Sequence, residues 1–276
     1  MIFFSFLLGL IVGSFLNVCI HRWPDERSVV KPRSQCPRCA SPIGWKDNIP
    51  LLSYLLLGGK CRECRKSISW RYPAVELANA IIWAALAAKF GWQPFTFKAA
   101  AFCSMMLILI FTDLEHMILP DEITKGGTLI GLALSWFIPL PDGATKIFWF
   151  MANSTPSPQL ASLAESFAGA LVFGGMLWIM RELYYRLRGI DGLGLGDVKM
   201  AAMMGAFWGV PQTLLILLAG SIMGAVTGTL IVLLARKEWS QELPFGSYLG
   251  AAAILTTFFS DELFGAYWQV VMPGGG

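Results

Sequence analysis

The fold class predicted by this 276-residue sequence is an all-α, polytopic membrane protein, and three observations predict it. Hydrophobic residues make up 55% of the chain and charged residues only 14%, with a mean hydropathy of +0.59. An ordinary soluble domain carries about 25% charged residues, so a soluble fold of this size has too few polar groups to cover its surface. The scarce charges are bunched between long apolar runs, and Lys and Arg fall almost entirely on alternate connections between those runs. These features exclude a cytosolic enzyme, a disordered chain and a nucleic-acid binder, and make the lipid bilayer the solvent for most of the surface.

A spanning helix needs about 20 mostly apolar residues. About eight transmembrane helices are expected, near 2–20, 73–90, 96–113, 127–140, 161–181, 196–209, 212–235 and 246–268. The first run has no basic n-region and no small-residue cleavage site, so it reads as a retained helix and not a signal peptide. The 36-residue charge-free run from Met200 to Ala235 is too long for one crossing. Gly209-Val210-Pro211 is its expected break, since proline starts or ends a helix far better than it continues one. The part before the break is then short and has to recruit the polar residues preceding it, which places Asp197 and Lys199 at or near membrane depth. Eight spans put 18 of the 21 Lys and Arg on one side and three on the other. By the positive-inside rule the N-terminus is periplasmic, and the loop 21–72 and the polar connections 114–126 and 182–196 are cytoplasmic. The expected organisation is a first transmembrane helix at 1–20, a cytoplasmic zinc-binding loop at 21–72, and a transmembrane core of seven helices at 73–272. Residues 141–160, rich in Pro, Ser and Asn, read as an outer loop, and nothing is drawn from the terminal Pro273-Gly274-Gly275-Gly276.

Four of the six cysteines form two CxxC pairs, Cys36/Cys39 and Cys61/Cys64, with 21 residues between them. Two such knuckles at that spacing suit tetrahedral thiolate coordination of zinc. On the cytoplasmic side thiols stay reduced, so disulfides are not expected. Four thiolates fill the coordination shell and leave no position for a catalytic water, so the zinc is structural: it staples a loop too small to build its own core. Cys19 and Cys103, inside apolar spans, read as packing residues.

Two polar motifs stand where membrane meets cytoplasm. One runs from Phe111 through Asp113 and Glu115 to Pro120-Asp121, and the other is Gly192-Leu193-Gly194-Leu195-Gly196-Asp197-Val198-Lys199. Ionisable residues at membrane depth are costly and suggest function. A plainer reading makes Asp113 and Asp197 helix caps, with Asp197 paired to Lys199. The glycines weigh against it, because they allow close backbone approach or positive φ beside the second aspartate. Two facing carboxylates can divide acid and base roles around a water. No HExxH, GxSxG or P-loop competes with them.

These residues together carry a resemblance over nearly the whole chain. Gly13-Ser14-Phe15-Leu16-Asn17-Val18 leading to Arg22-Trp23-Pro24, the two CxxC pairs, and Arg71-Tyr72-Pro73 with Glu76-Leu77 resemble the N-terminal signatures of the type IV prepilin peptidases. That family comprises bacterial inner-membrane GxGD aspartic proteases, also called leader peptidase/N-methyltransferases. Asp113 through Asp121, then Gly194 through Lys199, match its catalytic motifs. Leu243-Pro244-Phe245-Gly246 resembles its late motif, with Ser247 where many members carry a second proline. The resemblance implies that Asp113 and Asp197 are catalytic. It implies prepilin or pseudopilin substrates of type IV pili or type II secretion, cleaved after a glycine at the cytoplasmic face. It also implies methylation of the new N-terminus with S-adenosylmethionine, for which no binding pocket is legible in the residues. Gly194, Gly196, Glu115, Asp121, Glu122 and Asp191 are the expected substrate contacts, the acids of this group (with Glu242) attracting the basic leader. Three alternatives stand beside this: a peptidase without methyltransferase activity, a membrane transporter, and a zinc-dependent assembly factor. A transporter is expected to bury its acids near the midplane of repeated halves. Here they stand at one face.

Overall fold

The computed structural model describes residues 1–140, 143–235 and 244–271. It is all-α: α1 (Ile2–Arg22), α2 (Leu52–Leu56), α3 (Arg71–Phe90), α4 (Pro94–His116), α5 (Asp121–Phe137), α6 (Thr145–Met151), α7 (Pro158–Arg188), α8 (Leu195–Ala235) and α9 (Phe245–Val271). No β-strand occurs among the described residues, only the isolated bridges Gln35–Pro42 and Lys60–Ser67. Helices α1, α3, α4, α7 and α8 are long and apolar enough to cross a membrane, making this a multi-pass membrane protein. Each expected span falls on a helix, and the long charge-free run breaks where its glycine predicts. Gly209, at φ 70° and ψ −166°, interrupts α8, and Pro211 starts the second half. Helix α5, at 17 residues, is shorter than an ordinary crossing.

Helix ends explain where the polar connections are shorter than expected. Helix α5 begins at Asp121, because Asp121 and Glu122 in its first turn face the positive end of the helix dipole. Helix α7 opens on Ser157, whose hydroxyl accepts from the Leu160 amide, with Pro158 as first helical residue. It runs on to Arg188, supported by the Arg186–Glu182 pair one turn apart at 2.8 Å, and stops at Gly189 with φ 71°. The connection expected at 141–160 contains α6, whose apolar Ile147-Phe148-Trp149-Phe150 was masked by its Pro- and Ser-rich surroundings. Residues 141 and 142 lie outside the described residues, as do 236–243 (with Leu243 and Glu242) and the terminal tail.

The chain forms two compact units, Met1–Thr112 and Asp113–Gly276. In the first, α1 packs along α3 so closely that a side chain at Gly9 would come within 2.6 Å of the Ala80 backbone. A buried polar chain knits it: Asn79 donates to the Gly9 carbonyl (2.7 Å), Ser104 to Asn79 (2.8 Å) and Trp83 to Ser104 (3.0 Å). In the second unit α8 packs against α5, α7 and α9. Gly169 and Gly205 cross so tightly that a Cβ on Gly205 would overlap the Gly169 backbone. Ser162 and Ser166 of α7 donate to the carbonyl and the hydroxyl of Ser135 in α5, and the Ser135 hydroxyl also reaches the Ala206 carbonyl of α8. Between membrane helices lipid supplies no hydrophobic drive, so small residues and interhelical hydrogen bonds carry the association.

Candidate active site and metal centre

The cysteine insert is one turn written twice. Around Cys36 the amide of Cys36 donates to Ser41 O (2.9 Å), and Ala40 N donates back to Cys36 O (2.9 Å). Around Cys61 the same bonds run from Cys61 N to Lys66 O and from Arg65 N to Cys61 O, both 3.0 Å. Ala40 and Arg65, four residues after the first cysteine of each turn, take the left-handed conformation at φ 56° and 57°. The four Sγ atoms lie within 4.8 Å of one another, with Cys36–Cys64 at 3.9 Å and Cys39–Cys61 at 4.0 Å. A tetrahedron with metal–sulfur bonds of about 2.3 Å has edges of about 3.8 Å, so these thiols fit a zinc-sized ion. Hydrogen bonds from Ser41 bring the Cys39 thiol down to about 6, and the backbone amides of Cys64 and Glu63 pull Cys61 down as well. Cys64 moves the other way: against a hydrogen bond from the Lys66 amide, desolvation and the neighbouring Cys39, Cys61 and Cys36 side chains push it up to about 11.

The insert is anchored inside its own unit. Arg62 grips Asp47 in a fork at 2.6 and 2.7 Å, holding that carboxylate below its usual range. Glu76 of α3 accepts from the Leu51 amide at 2.8 Å, Asn17 of α1 donates to Tyr72 O at 2.9 Å, and Arg22 donates to Ser28 O at 2.9 Å. Two cavities touch Cys36. One, about 160 Å³, is lined by Tyr54, Cys61, Tyr72 and Glu76; the other, about 440 Å³, is lined by His21, Arg22, Arg27 and Lys31.

The two aspartates both lie in the second unit. Asp113 is at the C-terminal end of α4 and Asp197 in the first turn of α8; both are buried. They are near enough for their side chains to interact electrostatically. Leu119, from the short connection between α4 and α5, wedges between the flanking glycines. A Cβ on Gly196 would sit 2.9 Å from Leu119 Cβ, and one on Gly246 3.0 Å from its methyl groups and 3.2 Å from Asp113 Oδ2. Asp113 Oδ2 accepts two hydrogen bonds from Ser247, from its amide at 2.7 Å and its hydroxyl at 2.9 Å. Asp197 Oδ1 is buried and has no hydrogen-bond partner among the described residues. A buried polar atom without a protein partner is costly and marks Asp197 as a candidate for function.

The pairing of Asp197 with Lys199 fails on geometry. Lys199 donates to Asp121 at 2.5 Å and not to Asp197, and Lys125 holds the other Asp121 oxygen at 2.6 Å. Hydrogen bonds from Lys125 and Lys199 keep the Asp121 carboxyl below its usual range. The glycines around Asp197 use close approach and not positive φ, which falls instead on Gly189. A Cβ on Gly192 would press on the Tyr184 ring at 2.5 Å, and one on Gly194 would stand 3.2 Å from Asp197 Oδ2. Arg181 straps this loop to α7, donating to Leu193 O at 3.1 Å and Asp191 at 2.6 Å. Of the six expected substrate contacts, Gly194 and Gly196 lie beside Asp197, while Asp121 and Asp191 are already ion-paired. Glu115 and Glu122 are exposed.

A model of the bacterial peptidase A24 N-terminal domain matches residues 7–90, and one of the type IV leader peptidase family matches residues 100–229. The prepilin leader peptidase/N-methyltransferase of Aeromonas salmonicida (strain A449) is 34% identical over 298 residues, covering 97% of this chain and 94% of that protein. The chain belongs to the type IV leader peptidase family. Prepilin leader peptidase/N-methyltransferases of Pseudomonas aeruginosa (36% identical; 96% of this chain, 92% of that protein) and Myxococcus xanthus (39%; 88% and 68%) are also similar. No solved structure matches. Two buried groups of this family member escaped sequence reasoning. Ser247 looked like a neutral departure from a motif. Glu165, in an apolar span, accepts from Thr145 N (2.8 Å) and Val210 N (2.9 Å), so one carboxylate ties α6 to the second half of α8. Its only signal was a lone acid in a charge-free stretch.

Proposed function

We propose that this protein is a bifunctional membrane enzyme that removes the basic leader of type IV prepilins or pseudopilins and methylates the new N-terminus. The observation that carries the peptidase half is the convergence of Asp113 and Asp197, with one oxygen of Asp197 left without a partner. One carboxylate takes a proton from a water as it attacks the carbonyl carbon of the leader glycine, and the other, protonated, donates its proton to the carbonyl oxygen. Collapse of the tetrahedral intermediate breaks the C–N bond: the carboxyl that took the water proton passes it to the departing amine, and the other recovers its proton from the gem-diol hydroxyl as the new carboxyl group forms. Gly194 gives the substrate backbone room beside Asp197, while the face of Gly196 is taken by Leu119. Glu122 draws the basic leader, with Glu115 beside His116 and Asp121 and Asp191 committed to their own cations.

The biased distribution of Lys and Arg supports an active site facing the cytoplasm, with the N-terminus in the periplasm, in a bacterial inner membrane. Cys36, Cys39, Cys61 and Cys64 hold a structural zinc, for which the thiol spacing is the support. Methylation rests on the names of the relatives, and its donor would be S-adenosylmethionine. Neither cavity beside Cys36 suits it: the smaller is below the roughly 300 Å³ of a ligand pocket, and the larger is lined by cations that repel a sulfonium. The test is reconstitution with a prepilin in lipid, with Asp113→Ala and Asp197→Ala assayed separately and products weighed with and without S-adenosylmethionine. Cleavage at the normal rate by either variant overturns the peptidase mechanism, and an unmethylated product in its presence overturns the second activity.

A further inference from the structure

We infer that Ser247 is the positioning residue of Asp113, an inference that rests on the catalytic reading of that aspartate. Ser247 lies in the first turn of α9, where its amide makes only a long turn bond to the Pro244 carbonyl, at 3.1 Å, and takes a closer acceptor from another helix. Asp113, at the end of α4, supplies it. The amide and hydroxyl of Ser247 both donate to the same oxygen, Oδ2, at 2.7 and 2.9 Å, in a pair of side chains that are each 6% exposed. Two donors on one oxygen fix the rotation of the carboxyl group and leave Oδ1 for the reaction. Hydrogen bonds to a carboxylate are stronger than neutral ones, and burial strengthens them further. The neighbouring residue is shaped to the same purpose: a Cβ on Gly246 would stand 3.2 Å from that same oxygen and 3.0 Å from Leu119. A proline at position 247 would have neither an N–H nor a hydroxyl to offer. The serine is therefore no neutral exchange in this chain. It links the Pro244-Phe245-Gly246-Ser247 turn to one half of the dyad.

The test uses the full-length protein in detergent or lipid with a prepilin substrate, and reads kcat and KM separately alongside thermal unfolding. Ser247→Ala removes one donor and should lower kcat about tenfold with KM and unfolding temperature unchanged. Ser247→Thr keeps both donors and should restore kcat to within about twofold. Ser247→Pro removes both and should lower kcat about a hundredfold. Ser247→Cys, with similar shape and a poor donor, should behave as the alanine variant and decides the matter if alanine impairs folding. Alanine and cysteine variants with kcat within about twofold of the parent overturn the inference, as does a loss that threonine fails to rescue. Asp113→Ala is measured in the same assay. If it cleaves normally, the dyad reading falls; if it is inactive while Ser247→Ala is not impaired, only the role of Ser247 falls.

Discussion

In the cysteine insert each thiol is placed by neighbours a few positions away, whereas Asp113 takes its hydrogen bonds from a residue 134 positions along the chain. The first site repeats one local turn around Cys36 and Cys61 and closes on a cation. The second gathers Asp113, Leu119, Asp197 and Ser247 from the ends of helices whose packing alone sets their distance. A locally encoded site tolerates changes in the rest of the fold but depends on its metal. A site made by helix packing needs no cofactor to form, yet moves when any of its helices moves.

The strongest attack on this contrast is at the reacting groups. Asp113→Ala and Asp197→Ala should each lower cleavage by at least about a thousandfold, measured by product mass, while metal content stays unchanged. Next, Cys36→Ser or chelation should abolish stoichiometric zinc by elemental analysis and make the 21–72 insert the first site of tryptic cleavage, with the helices of the second unit still protected. A smaller effect is expected at the tight crossing of α7 and α8. Gly205→Val should destabilise the second unit by about 1–3 kcal/mol in thermal unfolding and reduce cleavage, leaving zinc bound. Ala40→Gly and Arg65→Gly should act alike, each changing insert stability by no more than about 1 kcal/mol, because both replace a left-handed side chain in the same turn. Unequal effects would show that the two turns are not equivalent. The smallest belongs to Asp121. Lys125 and Lys199 depress its folded pKa, so its contribution is complete above the unfolded value and is lost only as pH falls through the folded one. Asp121→Asn should cost roughly 0.2–1 kcal/mol, evenly from pH 5 to 8 and less in high salt.

Legibility in the sequence follows the same division. The spans, the Gly209 break and the two CxxC turns are local and were open to reading from run lengths, a glycine and a spacing. The polar connections were drawn too long because Arg186 and Glu182 look like loop charges until their spacing of one helical turn is set against the Gly189 stop. The partner of Lys199 was beyond sequence reading. Asp197 is two residues away, but helix geometry turns the ammonium towards Asp121 on another helix. Ser247 and Glu165 were missed for a related reason: a side chain's hydrogen bonds to distant backbone leave no periodic trace.

The Gly209 break also has a consequence for the surrounding lipid. The stretch of α8 that carries Asp197, residues 195–208, is roughly 21 Å long at 1.5 Å per residue, and the 17-residue α5 is roughly 25 Å. The hydrocarbon of an ordinary bilayer is about 30 Å thick. Beside these two helices the membrane has to thin or be dimpled by water, which brings solvent closer to the aspartates. Hydrolysis by this enzyme should therefore respond to acyl-chain length, running faster in thin bilayers than in thick ones.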